Sequence, residues 1–241
     1  MAKSSGGTRS KGASTGGIIG ASSAGGEVGK AVAEVVKKLR EYETPITGDY
    51  ISETDRGLTE KQKRVIEPFE ERRRNSKIEY GLTVDKDGNI VKFRRGGATT
   101  IWWGLRDIPK DGILTHVHPL SKEVVGYGNF YKRVGSSFSG ADIKTAIIGD
   151  LAEIRAVTPN YTFSMRRPNS GWGVKPGEFK SQYDATYKKN LDALKKYADA
   201  GGDMKTIEER YGRLNVLLDH WTMKELADKY GFIYSKSRRI K

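Results

Sequence analysis

The chain has 241 residues, of which 36% are hydrophobic and 30% charged, and its 43 Lys and Arg outnumber its 30 Asp and Glu to give a formal net charge of +13. No stretch approaches the roughly 20 apolar residues of a membrane-spanning helix, so we expect no membrane partner. The sequence contains no cysteine, which excludes disulfides and thiolate ligands and leaves His, Asp and Glu as the side chains for any metal site.

The positive charge favours encounter with polyanions such as nucleic acid. It is spread over the chain, however, in stretches such as "ERRRNSK", "KFRRGG" and "SKSRRIK". No zinc finger, RNA-recognition signature or leucine zipper accompanies it. A nucleic-acid partner and a simple solvated basic surface are therefore both compatible with the composition.

The N-terminal part is predicted to hold a disordered arm and a helical extension. Residues 1–28 are rich in Gly and Ser with scattered basic residues, a composition that cannot bury a core. They also lack the apolar region of a signal peptide. Within the extension, residues 29–75, four apolar residues follow the spacing of one helical face: Val32, Val35, Val36 and Leu39. A second charged helix, "LTEKQKRVIEPFEERRRN", is expected to kink or break at Pro68.

Residues 76–168 are predicted to form the core of an α+β fold. "KIEYGLTV" and "IVKFR" read as a hairpin about the turn "DKDGN". "ATTIWWGL" is predicted to be a third strand, with one of Trp102 and Trp103 buried and the other facing out. "DGILTHVH" follows as a buried fourth strand.

The second half of this core and the C-terminal part mix helices with strands. After a polar and aromatic loop, "SGADIKTAIIGDL" predicts a helix and "EIRAVTPNYTFSMRR" predicts two strands about a turn. Residues 169–241 are predicted to be helices that pack on the core and end in a basic tail. The order and its largely antiparallel connections predict an α+β fold, with a mixed, mainly antiparallel sheet flanked by helices.

Two of the three histidines, His116 and His118, lie in the stretch "GILTHVHPLS". On a strand, side chains two residues apart point the same way, so both imidazoles would share one face. Two histidines arranged in this way can bind one metal ion together. The alternative is a pair of hydrogen-bonded histidines near the end of a strand.

Ser139 and Asp142 in "FSGAD" have the spacing of a helix capping box. Capping does not exclude metal binding by Asp142, because both residues would lie in the first turn of one helix. Glu79, in the first hairpin strand, is by itself more typical of a solvent-exposed glutamate.

Other chemistries find less support in the sequence. Ser139, a histidine and Asp142 could be combined into a triad, but no nucleophile elbow surrounds the serine. No phosphate-binding loop is present, and "GYGNF" is not a dinucleotide fingerprint. His220 is expected to be a helix-surface or packing residue. Base stacking on Trp102 and Trp103 remains an alternative to their packing role.

Glu79, "THVHP" and "SFSGAD" follow one another on predicted strand, strand and helix. This order resembles the JAMM/MPN metalloprotease-like fold. Within it, the motifs are most similar to the RadC-like, phage- or toxin-associated branch, where T-H-N-H-P and F-S-x-x-D precede a helix and a strand like "EIRAV". The hairpin "EYGLTVDKDGNIV" and the late "LADKYGFIYS" are also similar to segments of that group. The resemblance covers about residues 76–235.

The resemblance implies Zn²⁺ held by His116, His118 and Asp142, with water as the fourth ligand. Glu79 would act as the general base on that water and pass its proton to the leaving amine. Ser139 would donate a hydrogen bond to the developing oxyanion. The implied substrate is a peptide or an isopeptide-linked protein.

The chain departs from the family pattern at two places. Relatives commonly have about seven residues between the H-P pair and the serine, whereas here Leu120–Phe138 make nineteen. This loop is either a lid or substrate-binding loop, a cover over an inactive site, or an ordinary surface insertion. Val117 replaces the usual Ser or Asn, which leaves the ligand set unchanged but removes a polar group from its surroundings.

The leading prediction is a zinc-dependent peptidase or isopeptidase of the JAMM type, encoded by a phage or mobile element. It would work in a bacterial cytoplasm or associated with a virion. The alternative is a non-enzymatic phage structural or DNA-associated protein that retains the fold and contacts nucleic acid through its basic surface. A metal-dependent nuclease is the weakest hypothesis, because a single site with one Asp ligand is a sparse set for phosphodiester chemistry.

Overall fold

We describe the protein from a computed structural model, which covers residues 26–43, 57–119, 136–159, 161–205, 207 and 214–238. Over these ranges the fold is mixed α and β, with six strands in one open, mainly antiparallel sheet and five α-helices. The predicted α+β class is confirmed. The predicted arm lies outside these ranges up to residue 25, and the predicted loop lies outside them from residue 120 to residue 135.

The elements follow one another in a simple order. The helices are α1 (Glu27–Glu43), α2 (Glu60–Arg73), α3 (Gly140–Ile148), α4 (Pro176–Asp199) and α5 (Leu214–Tyr230). The strands are β1 (Tyr80–Val84), β2 (Ile90–Arg95), β3 (Ile113–Val117), β4 (Glu153–Val157), β5 (Tyr161–Arg166) and β6 (Ile233–Arg238). The division into an arm, an extension, a core and C-terminal helices stays a prediction.

The strands are arranged in the order β2-β1-β3-β4-β5-β6. β3 and β4 run parallel, and the other neighbouring pairs are antiparallel. A parallel pair needs a crossover connection. Here the crossover carries α3, so the start of α3 returns to the sheet beside the end of β3.

The two faces of the sheet have different covers. One face presents Leu114, Ile154 and Phe163 to the main core, which includes residues of α3, α4 and α5. On the other face, Ile66 of α2 packs against three strand residues: Leu82, Val84 and Ile113. A further core joins α1 to α4 and α5, and Val35 and Leu39 of α1 are buried in it.

The predicted third strand is wrong. Residues 101–104 have no regular structure and lead into a short 3-10 helix, Leu105–Asp107. The N–H of Gly97 donates to the carbonyl of Thr100 at 2.9 Å, which turns the chain back on itself. β1 pairs directly with β3, so no place remains for a strand between them. The predicted contrast between the tryptophans holds, because Trp102 is 81% exposed whereas Trp103 is partly buried.

Two other expectations need correction. α2 continues through Pro68 without a break, because buried Ile66 and Glu70 hold it on the sheet on either side of the proline. No strand was predicted after residue 168, yet Ile233–Arg238 form β6 at the edge of the sheet. None of the helices in the described ranges is long and apolar enough to span a bilayer.

Candidate metal centre

β3 places the two histidines in the interior of the protein, at the point where the strand ends. His116 is in the strand and His118 directly follows it, and the two residues are 1% and 8% exposed. The N–H of His118 donates to the carbonyl of Val157 at 2.8 Å, which extends the pairing with β4 beyond the strand. Alternation along this extended backbone places both imidazoles on one face, as predicted.

α3 brings Asp142 to the same place. Ser139 is the N-cap of α3: its Oγ accepts from the N–H of Asp142 at 3.2 Å, and its own N–H donates to Oδ2 of Asp142 at 2.6 Å. The predicted capping box is therefore present. The same carboxylate also faces the histidines, with Oδ1 3.4 Å from Nε2 of His116 and Oδ2 3.8 Å from Nε2 of His118. Capping therefore fixes the carboxylate in an orientation that faces both imidazoles.

The two imidazoles face each other through their Nε2 atoms, which are 2.8 Å apart. Nδ1 of His118 lies 2.8 Å from the carbonyl oxygen of Ser136. A carbonyl oxygen only accepts, so Nδ1 of His118 carries the proton and donates. In the neutral ring, Nε2 of His118 is then an acceptor that faces Nε2 of His116.

The three side chains form a group that could bind a metal ion. One ligand atom from each of His116, His118 and Asp142 lies within 4.8 Å of the others. Bonds of about 2.0–2.2 Å in a tetrahedral site separate the ligand atoms by about 3.3–3.6 Å. The two Nε2 atoms, at 2.8 Å, are closer than this, and they lie 3.4 Å from Oδ1 and 3.8 Å from Oδ2 of Asp142, respectively. The donor set could therefore hold a divalent ion after a small adjustment of the imidazoles.

Glu79 lies next to this group, directly before β1. Gly81 pairs with His116 across β1 and β3, so Glu79, two residues earlier, is on the same sheet face. Its side chain is 7% exposed. Burial raises the pKa of the Glu79 carboxyl to about 7; the nearby charge of His116 opposes this shift and that of Asp142 adds to it. The solvent-exposed position that is typical of a lone strand glutamate is therefore excluded for Glu79, whereas its role as a general base stays a prediction.

The charges within the ligand group shift the pKa values of its own members. Burial opposes ionisation of Asp142, but the positive charge of His116, a hydrogen bond from it and the charge of His118 outweigh burial and hold the pKa of Asp142 well below its usual range. Burial likewise opposes protonation of His116, but Asp142 and Glu79 outweigh it and raise the pKa of His116. Asp142 and His116 therefore stabilise each other's charged forms.

Two close contacts on the elements that hold the site involve residues that sequence reasoning did not select. A Cβ on Gly81 would lie 2.3 Å from the Trp103 ring, so the indole packs directly on the backbone opposite His116. A Cβ on Gly140 would lie 2.7 Å from the ring of Tyr183, which fixes the start of α3 against α4. A glycine within a strand marks close approach of another group. Gly81 in "EYGLTV" was the one available signal; nothing in the sequence indicated the role of the Ser136 carbonyl.

The remaining histidine is not part of this group. His220 is on α5, is 1% exposed, and its Nδ1 lies 2.8 Å from the hydroxyl of Tyr234. The expected packing role of His220 is confirmed.

Comparison of the chain with family models, with curated proteins and with solved structures gave no significant match. The case for a function therefore rests on the geometry and chemistry of the residues described above.

Proposed function

We propose that the protein is a zinc-dependent hydrolase of peptide or isopeptide bonds with a JAMM-like fold. One observation carries the proposal: a buried group of two imidazoles and one carboxylate lies beside a glutamate whose pKa is about 7. A structural histidine pair needs no second carboxyl with a shifted pKa next to it. A hydrolytic site needs both parts.

Zinc fits the donor set better than the hard cations do. Imidazole nitrogens suit zinc, whereas magnesium and calcium prefer all-oxygen sites. Three protein ligands leave one position of a tetrahedral ion open, as in catalytic rather than structural zinc sites. When bound, such an ion lowers the pKa of a coordinated water towards about 7.

Glu79 is suited to carrying a proton at neutral pH. Burial raises the pKa of its carboxyl to about 7 in the absence of a metal ion, which makes the carboxylate a stronger base than an exposed glutamate. General acid–base catalysis is most efficient when the pKa is close to the working pH. Glu79 would accept a proton from water and donate it to the amine that leaves.

Ser139 can combine its capping role with a second one. Its Oγ accepts a hydrogen bond from the N–H of Asp142, which occupies one lone pair. A hydroxyl has one donor and two acceptor sites, so its O–H can still donate. We propose that it donates to the carbonyl oxygen of the scissile bond, where negative charge develops.

The first test is zinc content per chain by elemental analysis. Asp142→Asn retains an oxygen that can accept from the N–H of Ser139, so it removes the charged ligand and keeps the cap. Asp228→Asn, at an exposed position on α5, is the matched control. We expect close to one zinc in the wild type and in the control, and little in Asp142→Asn. A wild type that holds no zinc after incubation with it would overturn the proposal.

The second test is cleavage, measured on zinc-loaded protein with a panel of peptides and isopeptide-linked ubiquitin conjugates. Glu79→Gln should keep its zinc and lose activity by about 100-fold or more, the usual contribution of a general base. If the protein is fully occupied by zinc but cleaves no member of the panel, it binds metal without being a hydrolase, and the proposed activity is refuted.

A further inference from the structure

The exposed apolar side chains of the molecule are concentrated at one corner. Among the described residues, seven large hydrophobic side chains are exposed, and five of them lie between residues 90 and 105: Ile90, Val91, Phe93, Trp102 and Leu105. Three of these five belong to β2, an edge strand of the sheet. Proteins usually blunt or cover such an edge, so this corner has the character of a contact surface.

The strand register separates this corner into two faces. Phe93 pairs with Leu82, and Arg95 pairs with Tyr80, so these side chains lie on the face that α2 covers farther along the sheet. Arg94 pairs with Gly81 and shares the opposite face with His116. The surface around Phe93 is therefore on the other side of the sheet from the candidate metal centre.

On this face, aromatic rings and a guanidinium are stacked together. The rings of Tyr80 and Phe93 are 5.9 Å apart and inclined by 28°. The guanidinium of Arg73 lies 4.3 Å from the centre of the Tyr80 ring and 5.9 Å from that of Phe93. Phe69 of α2 supports Phe93 edge-on at 6.2 Å. Phe93 is nevertheless 46% exposed, so part of a fixed ring faces solvent.

Four basic residues belong to this segment: Arg73 lies on the rings, Arg95 pairs with Tyr80, and Arg72 and Lys77 are close to them in the sequence. We call six residues the β2 patch: Arg72, Arg73, Lys77, Tyr80, Phe93 and Arg95. Within the described part of the chain, none of its four basic residues forms an ion pair. The two neighbouring glutamates of α2 are already engaged, Glu70 by Arg155 and Glu71 by Arg74.

We propose that the β2 patch binds single-stranded nucleic acid. Bases stack on exposed aromatic rings and on arginine planes, and phosphates between the bases are neutralised by the flanking cations. An acidic peptide would use the cations but would leave the exposed Phe93 ring without a matching flat group. The stacked rings favour the nucleic acid, and the proposal does not depend on the metal centre.

The test is binding of the full chain to a short fluorescein-labelled oligothymidylate, followed by fluorescence anisotropy over a range of salt concentrations. Phe93→Ala removes the stacking ring. Arg95→Gln removes one charge from the patch, and Lys92→Gln removes one charge from the same strand on the opposite sheet face. This pair separates the patch from the overall charge, because both variants lower the net charge equally.

We expect Phe93→Ala to weaken binding about 5- to 100-fold, the range found when a stacking ring is removed. Arg95→Gln should lower the slope of log affinity against log salt by about one, while Lys92→Gln leaves it unchanged. Arg95 is exposed, so its variant remains informative even if Phe93→Ala fails to fold.

Three outcomes would overturn the proposal. The first is that the wild type does not bind the oligonucleotide. The second is that Arg95→Gln and Lys92→Gln have the same effect, which means that only overall charge attracts the strand. The third is that polyglutamate displaces the oligonucleotide and that Phe93→Ala weakens polyglutamate binding as much as it weakens oligonucleotide binding. The last result would assign the patch to an acidic polypeptide.

Discussion

His116 and His220 are both 1% exposed, yet their neighbours give them opposite acid–base behaviour. At His116, the carboxylates of Asp142 and Glu79 outweigh burial, and its pKa is raised. At His220, burial and the charges of Lys236 and Lys224 act in the same direction and lower its pKa to about 3. Burial lowers the pKa of both imidazoles, and the sign of the neighbouring charges decides whether this shift is reversed, as at His116, or reinforced, as at His220.

His220 makes stability depend on pH in a defined direction. Its folded-state pKa of about 3 lies below the value of about 6.5 in the unfolded chain, so the unfolded state binds more protons between these values. His220 therefore contributes stability that is fully present above about pH 6.5 and is lost as pH falls towards 3. The loss is about 1.4 kcal/mol per pH unit well below pH 6.5.

Urea unfolding of the wild type and His220→Gln, at several pH values between about 7 and 5, checks this prediction. Other groups titrate in both proteins, so the difference between the two free energies of unfolding isolates His220. The variant loses the bond to Tyr234 and should be less stable at pH 7, and the difference should shrink as pH falls. A difference that stays constant with pH would contradict the prediction.

At the scale of elements, one buried ionic group fastens α2 to the sheet. Arg155 of β4 donates to both carboxylate oxygens of Glu70, at 2.6 and 3.1 Å, and to Glu153 at 2.7 Å. Glu70 also accepts from the hydroxyl of Thr115 at 2.8 Å. The group explains why α2 stays in place and unbroken although Pro68 removes one of its backbone hydrogen bonds.

Arg155→Met should therefore destabilise the protein by about 3–5 kcal/mol, since it leaves two buried carboxylates without their cation. Lys63→Met is the control, because its ion pair with Glu60 lies on the exposed side of the same helix. We expect that variant to unfold like the wild type. If both substitutions have equal, small effects on the free energy of unfolding in urea, the buried ionic group does not hold α2 on the sheet.

The elements that the sequence predicted are those with a local signal. The β1–β2 hairpin follows from "DKDGN", where the Asp85 carboxylate accepts from the N–H groups of Asp87 and Asn89 and closes the turn. "ATTIWWGL" has the composition of a strand, but the turn closed between Gly97 and Thr100 leads it away from the sheet, and β3 occupies the place beside β1. β6 was missed since its basic residues resemble a tail; in the structure Lys236 is fully buried and bonds the carbonyl of Tyr42.

The candidate site also has parts that the sequence predicts and parts that it does not predict. The spacing of His116 and His118 and the cap formed by Ser139 and Asp142 are local patterns that can be read directly. The contact of the His118 ring with the Ser136 carbonyl and the cover by Trp103 depend on distant parts of the chain. No periodicity contains that information. The raised pKa of Glu79 likewise follows from burial, which a single glutamate in a sequence does not reveal.

At the scale of the whole molecule, α5 connects the two largest cores. Leu217, Leu218 and Trp221 are buried with α1 and α4, whereas Met223 and Leu226 are buried against the sheet. Lys38 of α1 reinforces the first contact through bonds to Asn190 of α4 and Glu225 of α5. Since one helix belongs to both cores, the extension formed by α1 should unfold together with the sheet.

Leu39→Ala tests this coupling by a change in α1, in the core that α1 shares with α4 and α5. Leu39 of α1 is 1% exposed, so its truncation should cost about 2–5 kcal/mol, and Val28→Ala, at a 44% exposed position of the same helix, should cost little. If the cores unfold as one unit, native-state hydrogen exchange will show the slowest amides of β3 losing protection by the same factor as those of α1. Loss of protection confined to α1 would mean instead that the helix detaches on its own, and that the candidate metal centre is insulated from changes in the extension.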